Sequence, residues 1–350
     1  MSESRSKARV LVAGASGFSG ALAARLVWGH PRLELAAITS RTEAGKRLDE
    51  IYPRHRVPLA LSELDLAEAD DVDAAIVAYP HGAAAPVVAE LRGLGALVVD
   101  LSADFRLREL PEYERWYGPH GEPDLLEGVV YGLTELNREA VRTAELVANP
   151  GCYPTAALLA LAPLAEARLI DGVVVDAKSG VSGAGRGGGD ALHFSTVDEN
   201  FKPYKVDGHR HLPEIVQGLD QLSPPETPSA PDAKRRSRRA VTFVPHLLPL
   251  DQGLLASCYV TLARETDEAE LRDLYRARYA DERFIELVDA PPGVADVRET
   301  NFCRIHVALD REGGRAMAFA AIDNLWKGAA GQAVQNLNLM LGLDEGEGLS

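Results

Sequence analysis

The feature that most constrains the fold is a glycine turn near the start of the chain. The run Arg9-Val10-Leu11-Val12-Ala13 predicts a buried strand, the turn Gly14-Ala15-Ser16-Gly17-Phe18-Ser19-Gly20 follows directly, and residues 21–28 predict a helix. This order opens a βαβ unit in which N–H groups at the helix start can bind a pyrophosphate. The spacing Gly-x-x-Gly-x-x-Gly is less common than Gly-x-Gly-x-x-Gly, and glycines can also form only a turn. The residues expected to contact a dinucleotide are Gly14, Ser16, Gly17, Phe18, Ser19 and Gly20.

Later apolar runs divide the chain into two predicted domains. Runs at 33–39, 74–78 and 96–100 continue the alternation of a parallel, doubly wound sheet, so residues 1–150 are predicted to form a Rossmann-type dinucleotide-binding domain. Residues 151–323 predict an α+β domain with one clear helix at 267–279. The Ala/Gln/Leu-rich end at 324–350 predicts a helix that completes the first domain. The strands predicted in the second domain are 172–178, 240–244, 254–263, 305–310 and 316–322.

The end of the second predicted strand favours NADP(H) over NAD(H). A domain that binds NAD usually places Asp or Glu there to hold the ribose hydroxyls. This strand ends in Thr39-Ser40-Arg41, and the first carboxylate is Glu43. Ser40 and Arg41 offer a hydroxyl and a guanidinium to a 2′-phosphate. The alternative is that Arg41 is a surface residue.

Cys152 is the candidate nucleophile. It lies in Asn149-Pro150-Gly151-Cys152-Tyr153-Pro154-Thr155, directly before an Ala/Leu run of high helix propensity. The positive end of a helix dipole and the N–H groups there stabilise a thiolate and an oxyanion formed next to it. A buried structural cysteine is the alternative reading.

Three further segments carry candidate ligands or acid/base groups. Arg106 follows the strand that ends at Asp100, at a sheet edge where ligands bind, although a local salt-bridged loop is an alternative. The glycine-rich stretch 178–189 ends a strand and can wrap an anion, or can be only a flexible connection. Gly208-His209-Arg210-His211 places histidines, which titrate near neutral pH, before an apolar run. No cysteine or carboxylate at zinc-site spacing accompanies them, so no metal is expected.

Composition narrows the class of protein. A net charge of −15 argues against nucleic acid and anionic membranes as partners, and no apolar stretch is long enough for a membrane span. The start of the sequence is polar, which predicts the cytoplasm. A basic cluster at 234–239 follows a proline-rich stretch and predicts an exposed loop without an assigned function. Cys258 and Cys303 lie in strand-like runs and are expected in the core.

Taken together, these segments resemble the N-acetyl-gamma-glutamyl-phosphate reductase family of arginine biosynthesis. The matching segments, in order, are 101–106, 149–155, 178–186, 199–204, 209–214 and 323–328. The cysteine segment keeps the arginine-pathway form, whereas relatives acting on carrier-bound aminoadipyl phosphate depart from it. A glyceraldehyde-phosphate-type or aspartate-semialdehyde-type dehydrogenase is the closest rival enzyme, and a non-catalytic nucleotide sensor is the rival outside catalysis.

The resemblance implies a semialdehyde-dehydrogenase-like catalytic domain, NADPH, an acyl-phosphate substrate and a homo-oligomer, either a dimer or a tetramer. It implies a thioester on Cys152, with His211 as acid/base and His209 or Arg210 contacting substrate. Asn324 is expected near the cofactor. The residues expected to bind substrate are Arg106, Asn149, Ser179, Arg186 and His209.

Overall fold

The chain forms two compact units. The computed structural model describes residues 7–65, 71–187, 189, 192–223, 240–310 and 312–349. The first unit contains Met1–Gly151 and Ala329–Ser350, and the second contains Cys152–Gly328. The predicted basic cluster at 234–239 lies outside the described residues. No helix in the described part of the chain is both long enough and apolar enough to cross a membrane.

A parallel sheet forms the centre of the first unit. Its strand order is β2-β1-β3-β4-β6-β5, and every pairing is parallel. The inner strands are apolar and buried, as expected of a sheet with both faces covered. The predicted doubly wound fold is confirmed. The strands are β1 Ala8–Ala13, β2 Leu33–Thr39, β3 Ala74–Val77, β4 Leu97–Asp100, β5 Val130–Tyr131 and β6 Leu146–Ala148.

Helices connect these strands. They are α1 Phe18–Gly29, α2 Leu48–Ile51, α3 Ala85–Gly93, α4 Leu110–Tyr117 and α5 Thr134–Arg142. The sequence predicted that α1 begins at Ala21, but its first turn already includes Phe18 and Gly20. The difference arises because the amide of Ala21 donates to the carbonyl of Gly17, so that the helix closes over part of the glycine turn.

The second unit is built on a mixed sheet with the strand order β11-β12-β13-β10-β7-β9-β8. Its strands are β7 Ile170–Gly180, β8 Lys202–Pro203, β9 Ala240–Leu248, β10 Leu254–Leu262, β11 Ile285–Leu287, β12 Cys303–Asp310 and β13 Arg315–Ile322. Its helices are α6 Cys152–Glu166, α7 Phe194–Val197, α8 Leu212–Leu222 and α9 Glu268–Tyr279. The predicted α+β class is confirmed. Cys258 and Cys303 are buried in β10 and β12, as expected.

Helix α6 is buried along nearly its whole length and contains Pro163. A proline inside a helix removes the N–H that would bond to the carbonyl four residues earlier, here that of Leu159. The hydroxyl of Tyr279 on α9 donates to this carbonyl at 2.5 Å. Tyr275 donates in the same way to the carbonyl of Ala160 at 2.5 Å. Helix α9 therefore supplies a hydrogen bond that the proline removes from α6.

The predicted helix at the end of the chain has an irregular start. The side chain of buried Asp323 accepts the amides of Leu325 and Trp326 at 2.8 and 3.1 Å, which holds a turn there. A π-helix follows at Trp326–Ala330, and the regular helix α10 is Gly331–Met340. Asn324 therefore lies before the helix and not inside it.

Helix α10 belongs to the first unit. The side-chain amide of Asn336 donates to the carbonyl of Gly132 at 2.8 Å and to the side-chain oxygen of Asn149 at 3.2 Å. Gln332 donates to the hydroxyl of Thr134. Since all these groups are buried, α10 supplies part of the polar interior of the nucleotide-binding fold.

Candidate active site

Glycine occurs at three positions of the first turn for different structural reasons. Gly14 has φ +86°, and a Cβ there would meet the carbonyl oxygen of Ala78 at 2.7 Å. A Cβ on Gly20 would lie 2.3 Å from the carbonyl oxygen of Gly14. At Gly17, by contrast, the nearest atom is 3.8 Å away, at ordinary contact distance. Packing therefore requires glycine at 14 and 20, whereas at 17 the missing side chain leaves space beside the helix start.

The start of α1 fits a dinucleotide pyrophosphate. Gly17 is its N-cap residue, no side chain caps the helix, and its first turn contains no acidic residue. The first N–H groups of a helix have no partner within the helix, and the positive end of its dipole favours an anion. The space beside Gly17 allows a phosphate to approach these groups. Phe18, Ser19 and Gly20 carry the amides of that turn.

Ser40 organises the end of β2 through its hydroxyl. Its Oγ donates to the Oγ of Ser16 at 2.8 Å and accepts the amides of Thr42 and Glu43 at 3.3 and 3.1 Å. Ser40 is buried, so these bonds tie the end of β2 to the glycine turn. The next residue, Arg41, is exposed, and its guanidinium carbon lies 5.0 Å from the centroid of the Tyr79 ring.

Arg106 ties together two loops at the carboxyl end of the sheet. Its Nε and Nη2 donate to the carbonyls of Asn149 and Leu101, both at 2.8 Å. Asp104 instead accepts the amides of Gly82 and Ala85 at 2.7 and 3.0 Å. The predicted position of Arg106 at the sheet edge agrees with these contacts. Its substrate role remains a prediction.

The carboxyl end of β4 also holds a buried acid. Burial raises the pKa of Asp100 to about 7, against the opposite effect of hydrogen bonds from Ser102. Asn149 lies beside it, with its amide N–H bonded to the carbonyl of Asp100 at 2.8 Å. The side chain of Asn149 donates to the carbonyl of Ala329 at 3.2 Å and accepts from Asn336. These bonds connect Asn149 to β4, to Ala329 and to α10 within the first unit.

Cys152 is the first residue of α6, which is the placement the sequence predicted. Gly328 packs against it so closely that a Cβ there would lie 2.7 Å from the Cβ of Cys152. Gly328 in turn is held by its amide, which donates to the carbonyl of Asp323 at 2.9 Å. The π-helix backbone therefore forms a wall against the thiol-bearing residue.

Tyr153 joins the cysteine segment to a cluster of rings. Its ring centroid lies 5.8 Å from those of both His209 and His211 and 5.3 Å from that of Phe243. The two histidine rings lie 4.9 Å apart. The structure thus brings both predicted histidines against the residue that follows Cys152.

His209 is bonded to the backbone of His211 and has a strongly lowered pKa. The amide of His211, the N-cap residue of α8, donates to Nδ1 of His209 at 3.1 Å. Burial, and then the positive charges of Lys205 and Arg210, lower the pKa of His209 to about 4. His209 is therefore neutral at pH 7, and with Nδ1 as the acceptor its proton lies on Nε2.

Ser179, Arg186 and Asn324 belong to the second unit but differ in exposure. Ser179 is buried, and its hydroxyl donates to the carbonyl of Gly180 at 3.1 Å. Arg186 is exposed on the glycine-rich segment after β7. Asn324 is buried, and it donates to the hydroxyl of Ser182 at 3.0 Å and accepts the amide of Gly253 at 2.8 Å. Its amide thus joins two loops.

Comparison with known proteins decides the family. Residues 9–144 match the family model "Semialdehyde dehydrogenase, NAD binding domain", and 152–324 match "Semialdehyde dehydrogenase, dimerisation domain". The N-acetyl-gamma-glutamyl-phosphate reductase of Pelotomaculum thermopropionicum is 45% identical, covering 98% of this chain and 97% of that protein. The enzyme of that name from Ectopseudomonas mendocina is 46% identical, covering 98% of each.

The chain belongs to the N-acetyl-gamma-glutamyl-phosphate reductase family. The resemblance predicted from the sequence motifs is confirmed, and with it the class of oxidoreductase. The solved aspartate semialdehyde dehydrogenase II of Vibrio cholerae has the same fold, with a TM-score of 0.71 at 19% identity over 97% of this chain and 99% of that one.

Two tyrosines of this reductase family member were not assigned a role from the sequence. Tyr204 donates to the hydroxyl of Tyr153 at 3.5 Å, and Tyr153 donates to the carbonyl of His246 at 2.9 Å. Burial and the nearby Cys152 raise the pKa of Tyr204 to about 12, while its hydrogen bond to Tyr153 acts in the opposite direction. Both tyrosines occur in the motif segments 149–155 and 199–204, which was the available signal. Among the described residues, no cluster of potential metal ligands is present.

Proposed function

We propose that this chain catalyses the NADPH-dependent reductive dephosphorylation of N-acetyl-L-glutamyl 5-phosphate to N-acetyl-L-glutamate 5-semialdehyde and phosphate, a step of arginine biosynthesis. The observation that carries the proposal is the placement of Cys152 at the start of α6. The chain is similar over nearly its whole length to proteins named N-acetyl-gamma-glutamyl-phosphate reductase. We assign cofactor binding to the first unit and the covalent chemistry to the second.

Cys152 is the nucleophile of the proposed reaction. Its thiolate attacks the acyl carbon, a carbon–sulfur bond forms, and the bond from the acyl carbon to the phosphate oxygen breaks, so that phosphate leaves. N–H groups at the start of α6 stabilise the negative charge that develops on sulfur and on the acyl oxygen. NADPH, when bound, supplies the hydride that reduces the thioester. Collapse of the thiohemiacetal, with its hydroxyl proton passing back to the acid/base group, then releases the aldehyde and returns Cys152 as a thiolate.

His211 is the proposed acid/base. It takes the thiol proton of Cys152 and later donates one to the oxyanion. The pKa of His209 at about 4 makes that residue a weak base near neutral pH, which leaves His211 as the better candidate. Neutral His209 is suited to donate a hydrogen bond from Nε2 to substrate. This assignment separates two residues that sequence spacing alone did not distinguish.

NADP(H) binding is proposed at the first unit through the glycine turn and the end of β2. The first-turn amides of α1 bind the pyrophosphate, and the guanidinium of Arg41 binds the 2′-phosphate. Ser40 supports this site indirectly, because its hydroxyl is bonded to Ser16 and to the amides of Thr42 and Glu43. Asn324 remains a proposed cofactor contact in the second unit.

The anionic groups of the substrate need donors. We propose Arg186, which is exposed, as the contact for phosphate or the substrate carboxylate, together with Ser179 near Tyr153. Arg106 and Asn149 are proposed to act through the segment that precedes Cys152, since Arg106 donates to the carbonyl of Asn149. This arrangement assigns Arg186 and Ser179 to ligand binding, and the buried Arg106 and Asn149 to positioning.

A second copy of the chain is the proposed partner. Helix α6 covers the face of the sheet that carries Val175 and Cys258, both buried. Val174, on the opposite face, is 40% exposed and pairs with Tyr259, whose ring contacts Phe319. An open face that carries these apolar side chains, in a domain of the dimerisation family, favours a homo-oligomer. We also propose that this enzyme acts in the cytoplasm.

A reverse-direction assay tests the proposal. Purified protein is given NADP⁺, phosphate and N-acetyl-glutamate semialdehyde, and NADPH formation is followed. Parallel reactions contain N-acetylated or carrier-bound aminoadipate semialdehyde, or aspartate semialdehyde. Phosphate-dependent turnover of the acetyl-glutamyl aldehyde alone is expected. Preference for another aldehyde would overturn the substrate while keeping the thioester mechanism, and absence of turnover with bound NADPH would favour a nucleotide sensor.

A further inference from the structure

The ring of Tyr79 spans the carboxyl ends of three neighbouring strands. Tyr79 follows β3, and β1 lies between β3 and β2 in the sheet. Its Cδ1 lies 3.2 Å from the position of a Cβ on Gly14, which follows β1. Its hydroxyl lies 3.1 Å from Oγ1 of Thr39, the last residue of β2. The ring therefore lies across the end of β1, beside the glycine turn.

This ring is a fixed platform. Tyr79 is only 8% exposed, and its hydroxyl partner Thr39 is buried. Arg41 is exposed and stacks on the platform, with its guanidinium carbon 5.0 Å from the ring centroid. A guanidinium over an aromatic face is attracted by the ring and loses fewer orientations when it binds an anion than a fully mobile side chain does.

The charges around Arg41 leave it available to a ligand. The ion pairs found across the described stretches of chain do not include Arg41. The nearby carboxylate of Glu43 is paired with Lys46, with Nζ and Oε2 2.5 Å apart. Ser40 holds the intervening backbone through its bonds to the amides of Thr42 and Glu43. The loop after β2 thus presents the stacked guanidinium of Arg41, while the charge of Glu43 is balanced by Lys46.

We propose that Tyr79 is a positioning residue for coenzyme selectivity, acting through Arg41 to favour a nicotinamide coenzyme that carries a 2′-phosphate. The inference rests on the proposed function, which requires NADP(H). Tyr79 contributes by holding the guanidinium at the end of β2, where the adenosine ribose of a dinucleotide binds in this fold. NADH lacks the phosphate, so its affinity depends little on this platform.

The test is direct binding of NADPH and of NADH to the full-length protein, measured by calorimetry without substrate. Tyr79→Leu and Tyr79→Met remove the ring, whereas Tyr79→Phe keeps it and loses only the bond to Thr39. We expect the ratio of the NADH to the NADPH dissociation constant to fall about fivefold in the two ringless variants, as loss of a cation–π contact predicts. In Tyr79→Phe the ratio should stay within about twofold of the parent value.

A double-mutant cycle separates positioning from general damage. In an Arg41→Ala background, Tyr79→Leu should leave the ratio unchanged, because the residue through which it acts is absent. An equal fall in both backgrounds would overturn the inference, as would an unchanged ratio in both ringless variants. If the parent protein binds neither coenzyme, the proposed function fails and takes this inference with it. If the parent protein binds both coenzymes and the ratio of their dissociation constants does not change in the Tyr79 variants, this inference is overturned and the proposed function stands.

Discussion

Gly328 lies against Cys152 with no room for a side chain, because a Cβ on the glycine would come within 2.7 Å of the cysteine Cβ. We expect Gly328→Ala to displace the thiol and lower kcat by about 10- to 100-fold, since small errors in the position of a nucleophile are costly. Gly93→Ala is the matched control, because nothing lies within 4 Å of a Cβ there. Steady-state kinetics and the rate of thiol alkylation check the prediction, and equal activity of both variants would contradict it.

Cys152→Ser should reduce turnover by about 10³-fold or more, because an alcohol replaces the thiolate nucleophile. Its NADPH dissociation constant should stay close to that of the parent protein. Parallel kinetics and coenzyme titration test this pair of outcomes. Retention of most activity would exclude the covalent route.

The glycine turn offers a matched pair of substitutions. Gly17→Ala should fold normally, because its methyl group meets only ordinary contact at 3.8 Å, but it should weaken NADPH binding about tenfold by occupying the approach to the α1 amides. Gly20→Ala should instead lower Tm, because its methyl would lie 2.3 Å from the carbonyl oxygen of Gly14. Thermal melts and coenzyme titrations distinguish the two effects. The reverse pattern would show that the space beside Gly17 is not the phosphate approach.

Acid should destabilise the protein through His209. Its pKa is lowered from 6.5 to about 4, so between these values the unfolded chain binds a proton that the folded chain excludes. His209 therefore does not lower the free energy of unfolding above pH 6.5. As pH falls from 6.5 to about 4, the free energy of unfolding decreases by up to about 3 kcal/mol. Urea unfolding at several pH values should show a shallower dependence in His209→Gln. An identical slope in parent and variant would contradict this origin.

Tyr279→Phe should lower the free energy of unfolding by about 1–2 kcal/mol, since it leaves the buried carbonyl of Leu159 without the donor that replaces the missing N–H of Pro163. Tyr275→Phe is the control and should cost less, because Leu164, four residues after its acceptor Ala160, keeps its N–H. In a Pro163→Ala background the cost of Tyr279→Phe should shrink. Urea titrations measure all of these values, and an undiminished cost in that background would rule out the compensation.

The sequence supported prediction of features that depend on local pattern. The bounds of β2, the strand–turn–helix order and the helix start at Cys152 all follow from hydrophobic runs, glycines and prolines. The start of α1 and the π-helix at Trp326–Ala330 did not, because the glycine turn closes into the helix and Asp323 holds a separate turn.

The spacing of residues in the sequence could not predict contacts between distant residues. The bond from Ser40 to Ser16 and the stacking of Arg41 on Tyr79 depend on neighbouring strands of a sheet whose order is not written in local pattern. The lowered pKa of His209 likewise depends on burial and on the charges of Lys205 and Arg210. Such properties follow from tertiary structure, even where the residues themselves are visible in a motif.

The nucleotide-binding unit is assembled from both ends of the sequence, with α10 bonded to Gly132, Thr134 and Asn149 in its interior. A ribosome makes the sheet of this unit first, then all of Cys152–Gly328, and only then α10. Domains fold as units during synthesis. The continuous second unit can therefore complete its core while the first still lacks an interior helix, so the unit whose synthesis starts earlier is the one whose folding finishes later.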